Sequence, residues 1–288
     1  YGRARYLFSP GGTTIHHSRG CSSRCSFCVW WTQHAQRSCS CGVEELAPRW
    51  RTTSVARTLE EMEILHRRYD RRCLVFVDPS FNLDPAWNEA FAEQLVRKQW
   101  DLKWYAFMRA DCILRDEASG VFEKLVRSGL THLSIGVERD DAEFLASNHK
   151  ASYSREQTEE TFRLLREKYP QVFRQATFVV GVRSETPESI RRQLEFARAL
   201  DVDYPAFHAL TPFPGTELWE EAQRHAWLEV TDFDGFDMST PVMGSEHMTR
   251  AELEDAIVEL NEAFVDVPWF LRGVTSRHSY RRDMFVWF

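Results

Sequence analysis

Long apolar runs are missing from this 288-residue chain: 18 apolar residues never follow one another, so no segment could span a bilayer as a helix. No secretory signal sequence is visible in these residues either. A basic excess is missing too. The 36 Lys and Arg against 43 Asp and Glu leave a net charge of -7, the wrong sign for a general binder of nucleic acid or acidic membrane. No internal repeat or low-complexity tract occurs. An even set of cysteines is also lacking. There are seven, unevenly spread, whereas a secreted disulfide framework favours an even count in a smaller chain. A reducing, cytoplasmic setting is the expectation, and there clustered thiols point to metal or catalysis. What remains is an ordinary globular composition, 43% hydrophobic and 27% charged, rich enough for a large core. The chain opens at Tyr1 rather than Met, which reads as an excerpt with a domain upstream.

Six β-rich runs alternate with amphipathic stretches: TTIHHS (13–18), CLVFVD (73–78), WYAFMR (104–109), HLSIGVE (132–138), ATFVVGV (176–182) and PAFHALTPF (205–213). Leu59, Met62, Leu65 and Tyr69 make a one-sided stripe at helical spacing. Thr186, Pro187 and Glu188 read as a helix start, Gly129 as a left-handed stop, and Thr249 as the cap of a helix over 250–265. Strand–helix alternation predicts an α/β fold with a parallel sheet, either open and doubly wound or a partial barrel. Ligands then belong at the carboxyl ends of the strands. The pattern changes after residue 227, so a core over 1–227 and a C-terminal extension over 228–288 are expected.

The sequence RGCSSRCSFCVWW, residues 19–31, places Cys21, Cys25 and Cys28 directly after the first strand. Thiolates at this spacing chelate soft metals. A structural zinc site wants four ligands and is closed, whereas three thiolates on a [4Fe–4S] cluster leave one iron open. Cys39 and Cys41 offer a fourth zinc ligand and so keep a non-catalytic, cysteine-rich module open as an alternative. Cys73 and Cys112 read as plain buried residues.

On these cysteines, with Phe27 before the third, the chain resembles the radical S-adenosylmethionine (SAM) superfamily. The resemblance implies a six-stranded partial (β/α)6 barrel of TIM type, with Cys21, Cys25 and Cys28 holding a [4Fe–4S] cluster whose open iron binds SAM. Reductive cleavage would then yield a 5′-deoxyadenosyl radical. The stretches DPSF (78–81), TPFPGTEL (211–218) and STPVM (239–243) resemble the cobalamin-associated branch, which includes anaerobic magnesium-protoporphyrin monomethyl ester cyclases and related C-methyltransferases. By that resemblance, SAM contacts fall to Phe27, Asp78, Ser80, Arg109, Glu138 and Gly181. Asp78 and Ser80 stand where many members carry Gly-Gly-Glu. Arg109 is weighed between the SAM carboxylate and a salt bridge to Asp111 or Glu138, and His208 between the barrel mouth and a structural role. The expected partners are a small organic substrate and a reductant such as flavodoxin or ferredoxin, without nucleic acid. The expected reaction is C-methylation or oxidative cyclisation of an unactivated carbon. Cobalamin would come through an upstream domain, because no Asp-x-His-x-x-Gly occurs here. A radical SAM methylthiotransferase acting on RNA is the other alternative.

Overall fold

A computed structural model describes residues 12–40, 43–150 and 154–287. The chain begins with β1 (Gly12–Ile15), β2 (Ser18–Gly20), α1 (Val29–Thr32), β3 (Gln36–Ser40), β4 (Val43–Ala47) and β5 (Trp50–Thr52). Strand–helix units follow: α2 (Val55–Tyr69), β6 (Cys73–Phe76), α3 (Pro85–Lys98), β7 (Lys103–Met108), α4 (Ala110–Ala118), α5 (Val121–Arg127) and β8 (Leu130–Glu138). Next come α6 (Ala142–Ser147), α7 (Arg155–Lys168), β9 (Phe173–Val180), α8 (Pro187–Ala199), β10 (Tyr204–Ala209) and α9 (Glu217–Arg224). The chain closes with α10 (Arg250–Phe264), α11 (Val267–Val274) and α12 (Ser279–Trp287).

Six strands form one parallel sheet in the order β1-β6-β7-β8-β9-β10. It is a partial barrel with β1 and β10 at its edges, the one of the two architectures left open by the alternation that the resemblance implies, and each of the six expected runs contributes one strand. Sequence reading missed two short antiparallel ribbons, β2–β5 and β3–β4. Their strands are too short to carry a period of two.

Side-chain caps start the crossover helices where the sequence places them. Thr186 and Thr249 each accept a bond from the amide three residues on, completed by Ser189 and Glu252 in reciprocal capping boxes. Gly129 has φ +108, and a Cβ there would lie 2.3 Å from the Leu102 carbonyl oxygen, so only glycine makes this turn without strain. The helix-facing sheet surface is a dry core of Leu74, Phe76, Trp104, Leu133, Ile135 and Phe178, all fully or almost fully buried.

The concave surface is different. Period-two alternation turns Ser134, Gly136 and Glu138 of β8, Thr177 and Val179 of β9, and His208 of β10 toward one cavity. At the amino end of the strands the C-terminal helices close the barrel. There the Tyr280 hydroxyl lies 3.1 Å from His132 Nδ1, and His132 Nε2 lies 3.0 Å from Gln175 Oε1. Burial pushes the His132 imidazole down to about 3, so this plug is neutral. Leu253, Ile257, Leu260, Trp269 and Phe285 share the barrel's own core. Among the described residues no helix is long and apolar enough to cross a membrane.

Candidate active site

The cavity, about 310 Å³ in volume, opens at the carboxyl ends of the strands. Cys21, Cys25 and Cys28 line its mouth with Phe27 and Trp30. Backbone contacts shape the cysteine loop. The Cys28 amide donates to the Cys25 carbonyl at 3.1 Å, and the Trp31 indole donates to the same oxygen at 2.8 Å. Ser26 anchors the loop from outside: its amide donates to the Asn148 carbonyl at 3.3 Å, its hydroxyl to the Asn148 side chain, and its carbonyl accepts from Leu218 at 3.2 Å. Residues following β8 and opening α9 therefore fix where the thiols point.

Burial raises the Cys25 thiol and pushes Cys28 up to about 12, because a desolvated thiolate lacks compensation. A metal bound here would supply that compensation and release the protons. The donor set fits a [4Fe–4S] cluster, with three soft ligands on one open cavity and, among the described residues, no fourth cysteine in its lining. Cys39 is exposed on the β3–β4 ribbon, and Cys41 lies outside the described residues. Among the described residues, no three His, Cys, Asp or Glu side chains form a set able to hold a single metal ion. Cys73 and Cys112 are buried elsewhere, away from the cavity.

Four of the six residues assigned to SAM by resemblance reach the cavity: Phe27, Ser80, Arg109 and Glu138. Glu138 ends β8 at a bulge with φ +66 and pairs with Lys150, which sequence reading missed. A Cβ on Gly136 would lie 2.6 Å from Glu138 Oε1 and 3.2 Å from Lys150 Nζ, so glycine makes room for this pair. Arg109 takes the salt-bridge option. Its Nε and Nη2 donate to the two oxygens of Asp111 at 2.9 and 2.6 Å, and its Nη1 donates to Ser23 Oγ at 2.5 Å. Burial works to raise the Asp111 carboxyl, but the paired Arg109 contact outweighs it and holds the group low.

Asp78 and Gly181 do not line the cavity. Asp78 is fully buried and accepts from the Ser18 amide and hydroxyl, both at 2.5 Å, and from the His17 amide at 3.1 Å. It ties the end of β6 to the ribbon leading into the cysteines. Gly181 has φ +88, and its amide donates to Glu185 at 2.8 Å. Glu185 is itself held by Arg139 at 2.6 and 2.9 Å in a buried pair. Both residues brace the site from behind. His208, weighed between the barrel mouth and a structural role, lines the cavity. Burial lowers its imidazole against the opposing pull of Glu138.

The architecture and three-thiol mouth define a class, the partial-barrel proteins that build their site around a cysteine loop after the first strand. The family itself follows from comparison. The profile described as "Radical SAM superfamily" matches residues 15–197, and the chain belongs to that family. Among curated relatives, it is 25% identical over 274 residues to the anaerobic magnesium-protoporphyrin IX monomethyl ester cyclase of Rubrivivax gelatinosus, covering 92% of this chain and 46% of the relative. It is 24% identical to the bacteriochlorophyllide d C-12(1)-methyltransferase of Chlorobaculum tepidum, covering 76% of this chain and 44% of that one. The chain thus spans about half the length of the curated relatives it matches. Among solved structures, the cobalamin-dependent SAM radical enzyme OxsB, with aqua-cobalamin and SAM bound, superposes with TM-score 0.64 at 15% identity, over 95% of this chain and 44% of that one. The radical SAM methyltransferase TsrM from Kitasatospora setae gives 0.59 at 22%, over 84% and 43%. At these identities the two structures speak for the fold.

Proposed function

We propose that this chain is the radical-generating core of an enzyme that modifies an unactivated carbon of a largely apolar organic substrate, by C-methylation or oxidative ring formation. The observation that carries the reading is the cavity itself: three thiols at its mouth, with no fourth cysteine there among the described residues, and a carboxylate–ammonium pair on its wall. Cys21, Cys25 and Cys28 hold the cluster. With SAM, that cluster supplies a 5′-deoxyadenosyl radical when an electron arrives.

The chain's own residues bind and orient. The Glu138 carboxylate accepts from SAM hydroxyl groups, and Lys150 offers a cation to the SAM carboxylate. Ser80 and the cavity-facing rim of Arg109 supply further donors. Phe107, Met108, Val179, Leu210 and Phe213 make the remaining wall apolar, which keeps water from the radical and suits an apolar substrate. His208 is neutral, and its ring has no hydrogen-bond partner among the described residues. It offers one donor and one acceptor to a polar group of the substrate.

Cobalamin is part of the proposal for the whole protein, supported by the cyclase and methyltransferase relatives. No residue of this chain is assigned to it, because no Asp-x-His-x-x-Gly is present. A low-potential reductant completes the requirements. The test is anaerobic: protein, SAM, reductant and cobalamin should yield 5′-deoxyadenosine. Turnover indifferent to cobalamin removes the branch assignment and leaves the radical core standing.

A further inference from the structure

The charge of this chain is unevenly distributed. Between His16 and Arg51 lie five arginines and two glutamates with no lysine or aspartate, a net of +3, while the rest of the chain carries -10. The arginines concentrate around the ribbon that delivers the cysteines. In the β2–β5 pairing, Arg19 stands directly opposite Arg51, and both are exposed, as is Arg49. Like charges directly opposed across two strands destabilise the pairing. Here they stand opposed in a ribbon of three residues per strand. His16 and His34 add to the same face. Arg19 donates to His16 Nε2 at 3.2 Å, and His34 is lowered by burial, then by Arg51 and Arg19. Glu45 lies on the neighbouring β3–β4 ribbon. Trp30, half exposed beside Cys28, adds an aromatic surface at the cavity mouth. Gly20 is followed at once by Cys21, so this face is the protein surface next to the thiols.

We propose that the ribbon face carrying Arg19, Arg49 and Arg51 is the docking surface for an acidic one-electron carrier protein that reduces the cluster. The inference rests on the radical SAM reading above. The carrier loses one electron and the cluster passes from its 2+ to its 1+ state, with no atom or proton transferred. A basic patch on an otherwise acidic molecule steers an acidic partner to that patch and repels it elsewhere. The same patch could be read as an RNA contact, but single-stranded RNA wants a basic groove with stacking aromatics. This face is a short ribbon on an acidic body, placed against the redox site.

The test uses the anaerobically reconstituted protein, an acidic flavodoxin in its fully reduced form, and photoreduced 5-deazariboflavin as a small uncharged donor. Cluster bleaching is followed by stopped flow. The variant Arg19→Glu/Arg51→Glu should lose about tenfold in the second-order rate with flavodoxin at low salt, and its rate should depend less on ionic strength. The milder Arg19→Gln/Arg51→Gln should fall in between. Iron content and reduction by deazariboflavin should match wild type in both. Unchanged flavodoxin rates overturn the proposal, as does an unchanged rate accompanied by lost RNA affinity. A wild-type protein that binds no cluster contradicts the radical SAM reading instead, a distinct result.

Discussion

Replacing Asp78 by alanine should destabilise the protein and loosen the cysteine loop together. The carboxylate is the acceptor for three donors, the amides of His17 and Ser18 and the Ser18 hydroxyl, and the site is fully buried. Each orphaned donor costs about 1 to 1.5 kcal/mol, so the loss should be roughly 3 to 4 kcal/mol. Asp78→Asn keeps an acceptor oxygen and should stay within about 1 kcal/mol of wild type at pH 4.5, where the wild-type carboxyl is protonated in the folded state. The pH dependence separates these variants further. Burial, the largest influence, outweighs those hydrogen bonds and raises the Asp78 carboxyl to about 6, so the folded state holds its proton to higher pH than the unfolded chain does. Stability therefore falls as pH rises from about 4 to about 6, by up to about 3 kcal/mol, and Asn at this position removes that part of the slope. Urea unfolding of the metal-free protein at pH 4.5 and 7, with iron retention after gel filtration, measures both effects. An Asp78→Ala protein as stable as wild type refutes the reasoning. So does an Asp78→Asn protein of normal stability that has lost SAM binding, since that result would place Asp78 on the cofactor.

Three other outcomes are expected. Cys25→Ala should abolish cluster assembly while Cys73→Ala and Cys112→Ala leave iron content intact, as read by iron and sulfide analysis. Glu138→Gln and Lys150→Met should each weaken SAM binding about tenfold or more, judged by equilibrium dialysis, with iron unchanged; unaltered affinity would return the pair to a structural role. Breaking the buried Arg139–Glu185 pair from one side, as Arg139→Met, should cost about 3 to 5 kcal/mol in urea unfolding, and adding Glu185→Leu should recover much of it. A single variant costing under about 1 kcal/mol would contradict the burial argument.

The sheet was legible because the parallel strands are apolar runs separated by helices, and Thr186 and Thr249 announce their helices locally. The cysteine loop was legible because ligand spacing is written in consecutive residues. Contacts between distant segments were not. Lys150 follows α6 and meets Glu138 only because a bulge turns β8 and Gly136 leaves room. Asp78 carries the residue type of a ligand contact, but the backbone brings the amides of His17 and Ser18 onto it first. Arg109 had two acidic candidates in sequence, and the nearer in chain, Asp111, holds it. His208 had two readings in sequence, a structural one and the barrel mouth, and the sheet's curvature turns it toward the cavity. In the C-terminal extension, Tyr280 and Phe285 are core residues that close the barrel. Nothing local marks them as such.

The central claim is that Cys21, Cys25 and Cys28 hold a cluster with an open iron for SAM. Electron paramagnetic resonance of the reduced, anaerobically reconstituted protein, recorded with and without SAM, tests it most directly. The account predicts about four iron and four sulfide per chain and a signal of a 1+ cluster that changes when SAM is added. Zinc in place of iron, or a cluster signal indifferent to SAM, would contradict it.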